Sequence, residues 1–206
     1  VMERKKTLKR RENIWEIIHL GGYPELQDAD KEWNAFYADY VKTYMERDVR
    51  ELATVQDLTA FRQFMIAAAA RTGEILNFSA IASEIGKDVK TVKNWISILE
   101  ASGIVYLLEP YTSNVLKRAI KSPKLYFRDT GLVCYLTRWL TPETLAYGAM
   151  SGPVFETFVV SEILKSFANE GLDYRHFVSY YRGRDKKKAM EDGKLQELES
   201  EIDLII

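Results

Sequence analysis

NFSAIASEIGKDVKTVKNWISILEASGIVYLLEP, residues 77–110, changes its periodicity twice, and each change has a local cause. Ser79 can cap a first helix whose apolar face carries Ile81 and Ile85, with Ala82 small where a second helix must cross closely. Gly86 suits a left-handed turn, and Asp88 can cap a second helix in which Val92, Trp95 or Ile96, and Leu99 recur at core spacing. Gly103 then ends that helix. The spacing predicts a helix-turn-helix.

After Gly103 the pattern turns to strands: IVYLLEPY, a loop at 112–114, then KLYF. A hairpin directly behind a helix-turn-helix is the arrangement of a winged helix. The basic stretch KRAIKSPKLYFRDTGL, residues 117–132, then becomes the second half of the wing, with Lys117, Arg118, Lys121 and Lys124 on its loop and strand. On the second helix Lys90, Thr91, Lys93, Asn94 and Ser97 fall outside the stripe of Val92, Ile96 and Leu99. Such a face can read nucleic acid: Lys and Thr hold phosphates, Asn can pair with adenine, and a basic wing adds affinity that does not depend on base sequence. The bland alternative is a winged helix that packs between domains, its lysines merely solvated.

Outward from this centre, Ile14, Ile17 and Ile18 predict a helix over residues 11–20 that Gly21-Gly22-Tyr23-Pro24 breaks. Residues 30–53 read as a helix whose stripe of Trp33, Phe36, Tyr37, Tyr40, Val41 and Tyr44 is core, and residues 57–72 as a further helix. Downstream, LVCYL predicts a short helix, and GPVFETFVVSEILKSFANEG a long amphipathic one with Phe155, Phe158, Val159 and Ile163 on its apolar side. Residues 174–182 and 201–206 read as strands, the last of them buried, with a long charged loop between.

Composition narrows the function. The chain has 206 residues, 47% of them apolar, and a formal net charge of −1, so it fills real cores and has no global attraction for nucleic acid. Its charge is segregated: residues 113–128 carry five bases and no acid, and residues 191–203 carry six acids against Lys194. No apolar run approaches the roughly 18 residues that span a bilayer, and no signal-type segment opens the chain, so a cytoplasmic setting without membrane contact is expected. Cys134 is the lone cysteine, which excludes an intrachain disulfide and a thiolate cluster, and with His19 and His176 alone a classical zinc site is not expected. No Walker A loop or Rossmann fingerprint occurs. The N-terminal Val1 and the abrupt EIDLII end lead to the expectation of a piece of a longer protein.

Two acidic motifs remain. Asp129-Thr130-Gly131 occurs once and lies between a strand and a helix, so Asp129 reads as a helix cap, not as half of a protease dyad. Asp203, flanked by Ile202 and Leu204, asks for a partner, water or a cation, and Glu156 and Glu162 on the long helix are carboxylates that can join it.

GGYPE at 21–25, YMERDV at 44–49, TVKNWISILEASGIV, KSPKLYFRDTGL at 121–132 and GPVFETFVVSEI at 152–163 together resemble the C-terminal half of a group of prokaryotic AAA-family ATPases. In that group an N-terminal P-loop ATPase precedes a conserved domain of unknown function. The resemblance implies an α+β, mainly α fold: residues 1–56 as a helical tail or linker of the ATPase module, 57–130 as the winged helix, and 131–206 as a truncated α/β domain of restriction-endonuclease type. It implies ATP and magnesium in the upstream P-loop module, none in this fragment, and a magnesium ion at Glu156 and Asp203 where a nuclease would hold one. The Glu-x-Lys strand of such nucleases is not in this sequence, so the fragment itself is expected to be inactive. The partners expected are nucleic acid, the upstream ATPase and, as a competing class, a protein that the module senses.

Overall fold

The structure, a computed structural model, describes residues 13–27, 31–49, 55, 57–111, 122–189 and 195–206; residues 183–189 and 195–201 are described by their backbone alone. The fold is mainly helical with small antiparallel sheets. The helices are α1 (Ile14–Leu20), α2 (Trp33–Tyr44), α3 (Leu58–Ala69), α4 (Phe78–Ile85), α5 (Val89–Ala101), α6 (Thr130–Thr137), α7 (Pro142–Ala146) and α8 (Ser151–Asn169). The strands are β1 (Val105–Leu108), β2 (Lys124–Phe127), β3 (Ser179–Ala189) and β4 (Leu195–Ile205).

Caps set most helix starts. Asp57, Asp88 and Asp129 each accept a backbone N–H of the first turn, at 2.9, 2.8 and 2.7 Å. For α4 the cap is Asn77, which accepts from the Ala80 N–H at 3.0 Å, while Ser79 lies inside the helix. Gly86 ends α4 in the left-handed region, φ 64°, which an L side chain rarely adopts. Lys87 in that turn donates to Asp57 Oδ2 at 2.9 Å, tying the α4–α5 corner to the start of α3. The helix expected over 30–53 is α2 followed by one π turn, Met45–Val49.

β1 and β2 pair antiparallel, Val105 opposite Phe127 and Leu108 opposite Lys124. The other edge of β2 is also used: Gly73 N–H donates to the Leu125 carbonyl at 2.7 Å, Leu125 N–H to Glu74 at 2.9 Å, and Leu76 N–H to Pro123 at 2.8 Å. Both faces of this ribbon are covered. Val105, Leu125 and Phe127 belong to the large core shared by α1 to α6, whereas Tyr106, Leu108 and Tyr126 face a second core with Val160, Leu164, Val178 and Tyr180. The two-residue period of a strand makes that division. The large core draws on residues from Ile18 to Val154, and so on all three predicted segments.

Four expectations need correction. α8 buries Val154, Thr157, Val160, Ser161 and Leu164, leaving Phe155 and Val159 exposed, because the element it meets is the Tyr106–Tyr126 face of the ribbon. Much of the charged stretch expected as a loop before the last strand is strand: β3 pairs antiparallel with β4 from Ser179–Ile205 to Ala189–Leu195, with bulges, since ladder hydrogen bonds form whatever the side chains. Residues 174–176 form a short helical turn instead of a strand. The last strand is also no buried one, with Ile202, Asp203 and Ile206 exposed. No described helix is long and apolar enough to cross a membrane.

Candidate functional site

Two regions answer to the residues singled out in the sequence. The first is the outer face of α5. Its core stripe of Val92, Trp95, Ile96 and Leu99 is buried, which turns Lys90, Lys93, Asn94 and Ser97 outward. Thr91 is half-buried, and its hydroxyl donates to Asp88 Oδ2 at 2.6 Å, so it completes the cap. The Thr91 hydroxyl and N–H hold the Asp88 carboxyl below the usual carboxylate range. Lys93 lies over the Phe78 ring, 5.4 Å from its centre, which sets its ammonium beside α4.

Of the basic residues assigned to the wing, Lys117, Arg118 and Lys121 lie outside the described residues. Lys124 does not face outward as that reading expects: it is 2% exposed, on the β2 face that meets α8. Its ammonium donates to Asp203 Oδ1 at 2.7 Å and lies 3.6 Å from Glu156 Oε1. A lysine so engaged has no reach to a phosphate backbone.

This contact is the second region. Glu156 points from the second turn of α8 and Asp203 from β4 into one open pocket of about 620 Å³, lined also by Thr72, Gly73, Glu74 and Arg182. Lys124 and Tyr126 are two residues apart on one face of β2, so both reach the same helix. The Tyr126 hydroxyl donates to Glu156 Oε1 at 2.5 Å. Burial, then this carboxylate, pushes the Tyr126 hydroxyl far above its ordinary pKa and keeps it a donor. Behind the pocket, Thr72 and Thr157 share a hydrogen bond of 2.8 Å that fixes α8 against the turn before Gly73. Glu162, the other helix candidate, is elsewhere and pairs with Lys165 at 2.7 Å.

The structure thus brings Glu156 and Asp203 together. Their fit to magnesium is poor as they stand, because a small divalent ion wants about six oxygens at roughly 2.1 Å, and here an ammonium touches both carboxylates. Among the described residues no group of three or more His, Cys, Asp or Glu is placed to hold a metal ion.

Sequence reasoning missed the lysine at this site, since within KSPKLYFR only strand alternation separates Lys124 from its basic neighbours. It also missed a junction around Asp129, whose two oxygens accept from Tyr37, Leu132 N–H and Gly22 N–H at 2.6, 2.7 and 2.6 Å. The GGYP and RDTGL motifs each announced a turn, but nothing local says that they meet.

Residues 11–143 match the family described as Domain of unknown function (DUF8612). Two uncharacterized proteins, of Mycobacterium bovis and Mycobacterium tuberculosis, are each 28% identical over 164 residues, 79% of this chain and 37% of the relative. The matched region therefore spans little more than a third of the length of those relatives. No solved structure matches the chain.

Proposed function

The chain belongs to the DUF8612 family of unknown function, and we propose that it is a regulatory or effector part of a longer AAA-family ATPase that binds nucleic acid through a winged helix. The ATPase context is supported by the five sequence motifs, in order along the chain, and by relatives much longer than the matched region. Nucleotide and its magnesium belong to the upstream P-loop module. The observation that carries the nucleic-acid reading is the exposure of Lys90, Lys93 and Asn94 on α5, held at a fixed crossing by Gly86 and the Lys87–Asp57 pair. The order α3, the 73–76 edge, α4, α5, β1, β2 supports the winged-helix reading. With Lys124 turned inward, the wing's contribution falls to Lys117, Arg118 and Lys121.

A mobility-shift titration with duplex DNA tests this. Binding through phosphates weakens steeply between about 50 and 200 mM salt. Replacing Lys90 and Lys93 together by Glu should abolish the shift at low salt. Binding that ignores both salt and these charges would refute the reading and favour the protein-partner alternative.

A second reading is favoured by the pocket. Glu156 and Asp203 converging on one cation is the arrangement expected of a nuclease-like domain, here a remnant without catalysis. Incubation of the chain with plasmid and manganese should yield no cleavage.

A further inference from the structure

The pocket has the carboxylates of a divalent-metal seat but holds an ammonium between them. We propose that Lys124 is the resident cation of this pocket: it holds Glu156 and Asp203 in register and, by occupying the space between them, excludes a divalent ion. The inference rests on the reading of the pocket as a metal-type seat, and turns on three observations.

The lysine is placed by the fold instead of by chance. β2 is bonded along both edges, to β1 and to residues 73–76, so the Lys124 backbone cannot withdraw without breaking the ribbon. Its side chain is 3% exposed, whereas those of Glu156 and Asp203 are 28% and 56% exposed, so the pocket opens on the carboxylate side and the cation sits beneath. Its surroundings also suit an ammonium: Asp203 at 2.7 Å, Glu156 at 3.6 Å and the Tyr180 ring 5.8 Å away. The lone oxygen that Glu156 turns to the lysine already accepts from Tyr126 at 2.5 Å. A metal entering here would meet a fixed positive charge and one preoccupied ligand.

Manganese binding by isothermal titration calorimetry on the 206-residue chain tests this. The wild-type chain should show no saturable binding, Lys124→Met should gain it, and Lys124→Met/Asp203→Asn should bind at least tenfold more weakly than Lys124→Met. Wild-type binding as tight as that of Lys124→Met would overturn the inference and leave the metal-type pocket standing. Absence of binding in every variant would overturn both. Should Lys124→Met fail to fold, Asp203→Asn alone decides the first half: it should lower the melting temperature, because it removes the negative charge of the buried ammonium's nearest partner. An unchanged melting temperature would overturn the counter-ion role.

Discussion

The Tyr37 hydroxyl donates to Asp129 Oδ1 at 2.6 Å, joining α2 to the cap of α6 across 92 positions of sequence. The same hydroxyl lies 3.0 Å from the Leu20 carbonyl, but it has one proton, and the shorter contact to a carboxylate takes it. Burial raises the Asp129 pKa while Tyr37 and the Gly22 and Leu132 N–H groups oppose the shift, so the carboxylate depends on its donors. Tyr37→Phe removes one of them and should cost about 1.5–3 kcal/mol in urea unfolding. Asp129→Asn should be at least as costly, because either amide orientation aims N–H at an existing donor. A loss below about 0.5 kcal/mol for both would mean that water replaces the junction.

His19 gives the chain a pH response of definite sign. It is 7% exposed, stacks on Trp33 at 4.4 Å between ring centres, and its Nε2 lies 2.9 Å from the Trp139 carbonyl. That partner requires a proton on Nε2, whether the ring is neutral or charged. Burial lowers its pKa from 6.5, with the Trp139 carbonyl and Glu143 acting in the opposite direction. The unfolded chain therefore takes up the proton first. His19's contribution is full above pH 6.5 and is lost as pH falls through that value toward the lower folded pKa. Chemical denaturation at descending pH should show this decline, and His19→Phe, which keeps the stack, should flatten it. An identical slope in the variant would assign the response elsewhere.

How much of this was legible depends on range. Asp88, Asp129 and Gly86 act on residues within one turn of themselves, and the sequence places them correctly. Asn77 and Ser79 are both capping types two residues apart, and only the path of the chain into α4 chooses Asn77. Lys124 and the apolar face of α8 were misplaced for one shared reason: the ribbon is buried on both sides, which no period within KLYF or VFETFVV encodes. The exposed face of α5 follows from its own periodicity, whereas the pocket joins residues 124, 156 and 203 and exists in the tertiary structure alone.

Capping at Asp88 should matter to the α5 face as well as to stability. Its carboxylate accepts from both the N–H and the hydroxyl of Thr91, at 2.8 and 2.6 Å. Asp88→Ala should cost about 1 kcal/mol and fray the turn that carries Lys90. Asp88→Asn should retain most of the cap. Loss of duplex binding that tracks the cap across this pair, at a temperature where both variants are folded, would tie the nucleic-acid face to the start of α5. Equal binding by both would separate them.

Gly131 and Gly86 separate two reasons for glycine. At Gly86, φ is 64° and nothing lies within 4 Å of the position a Cβ would take, so Gly86→Ala meets backbone strain alone and should cost about 1–2 kcal/mol. At Gly131 the backbone is ordinary helix, but a Cβ would run into the Tyr37 hydroxyl and come within 2.6 Å of the Leu20 carbonyl. Gly131→Ala must push α1 and α2 off α6 and should cost about 3 kcal/mol, the upper end for overpacking. Because one of the two obstructing groups is a side-chain oxygen, Tyr37→Phe should relieve part of that cost. The double variant Tyr37→Phe/Gly131→Ala should therefore lose less stability than the sum of the single changes, by about 0.5 kcal/mol or more in a double-mutant cycle. Strict additivity would place the obstruction on the Leu20 backbone alone.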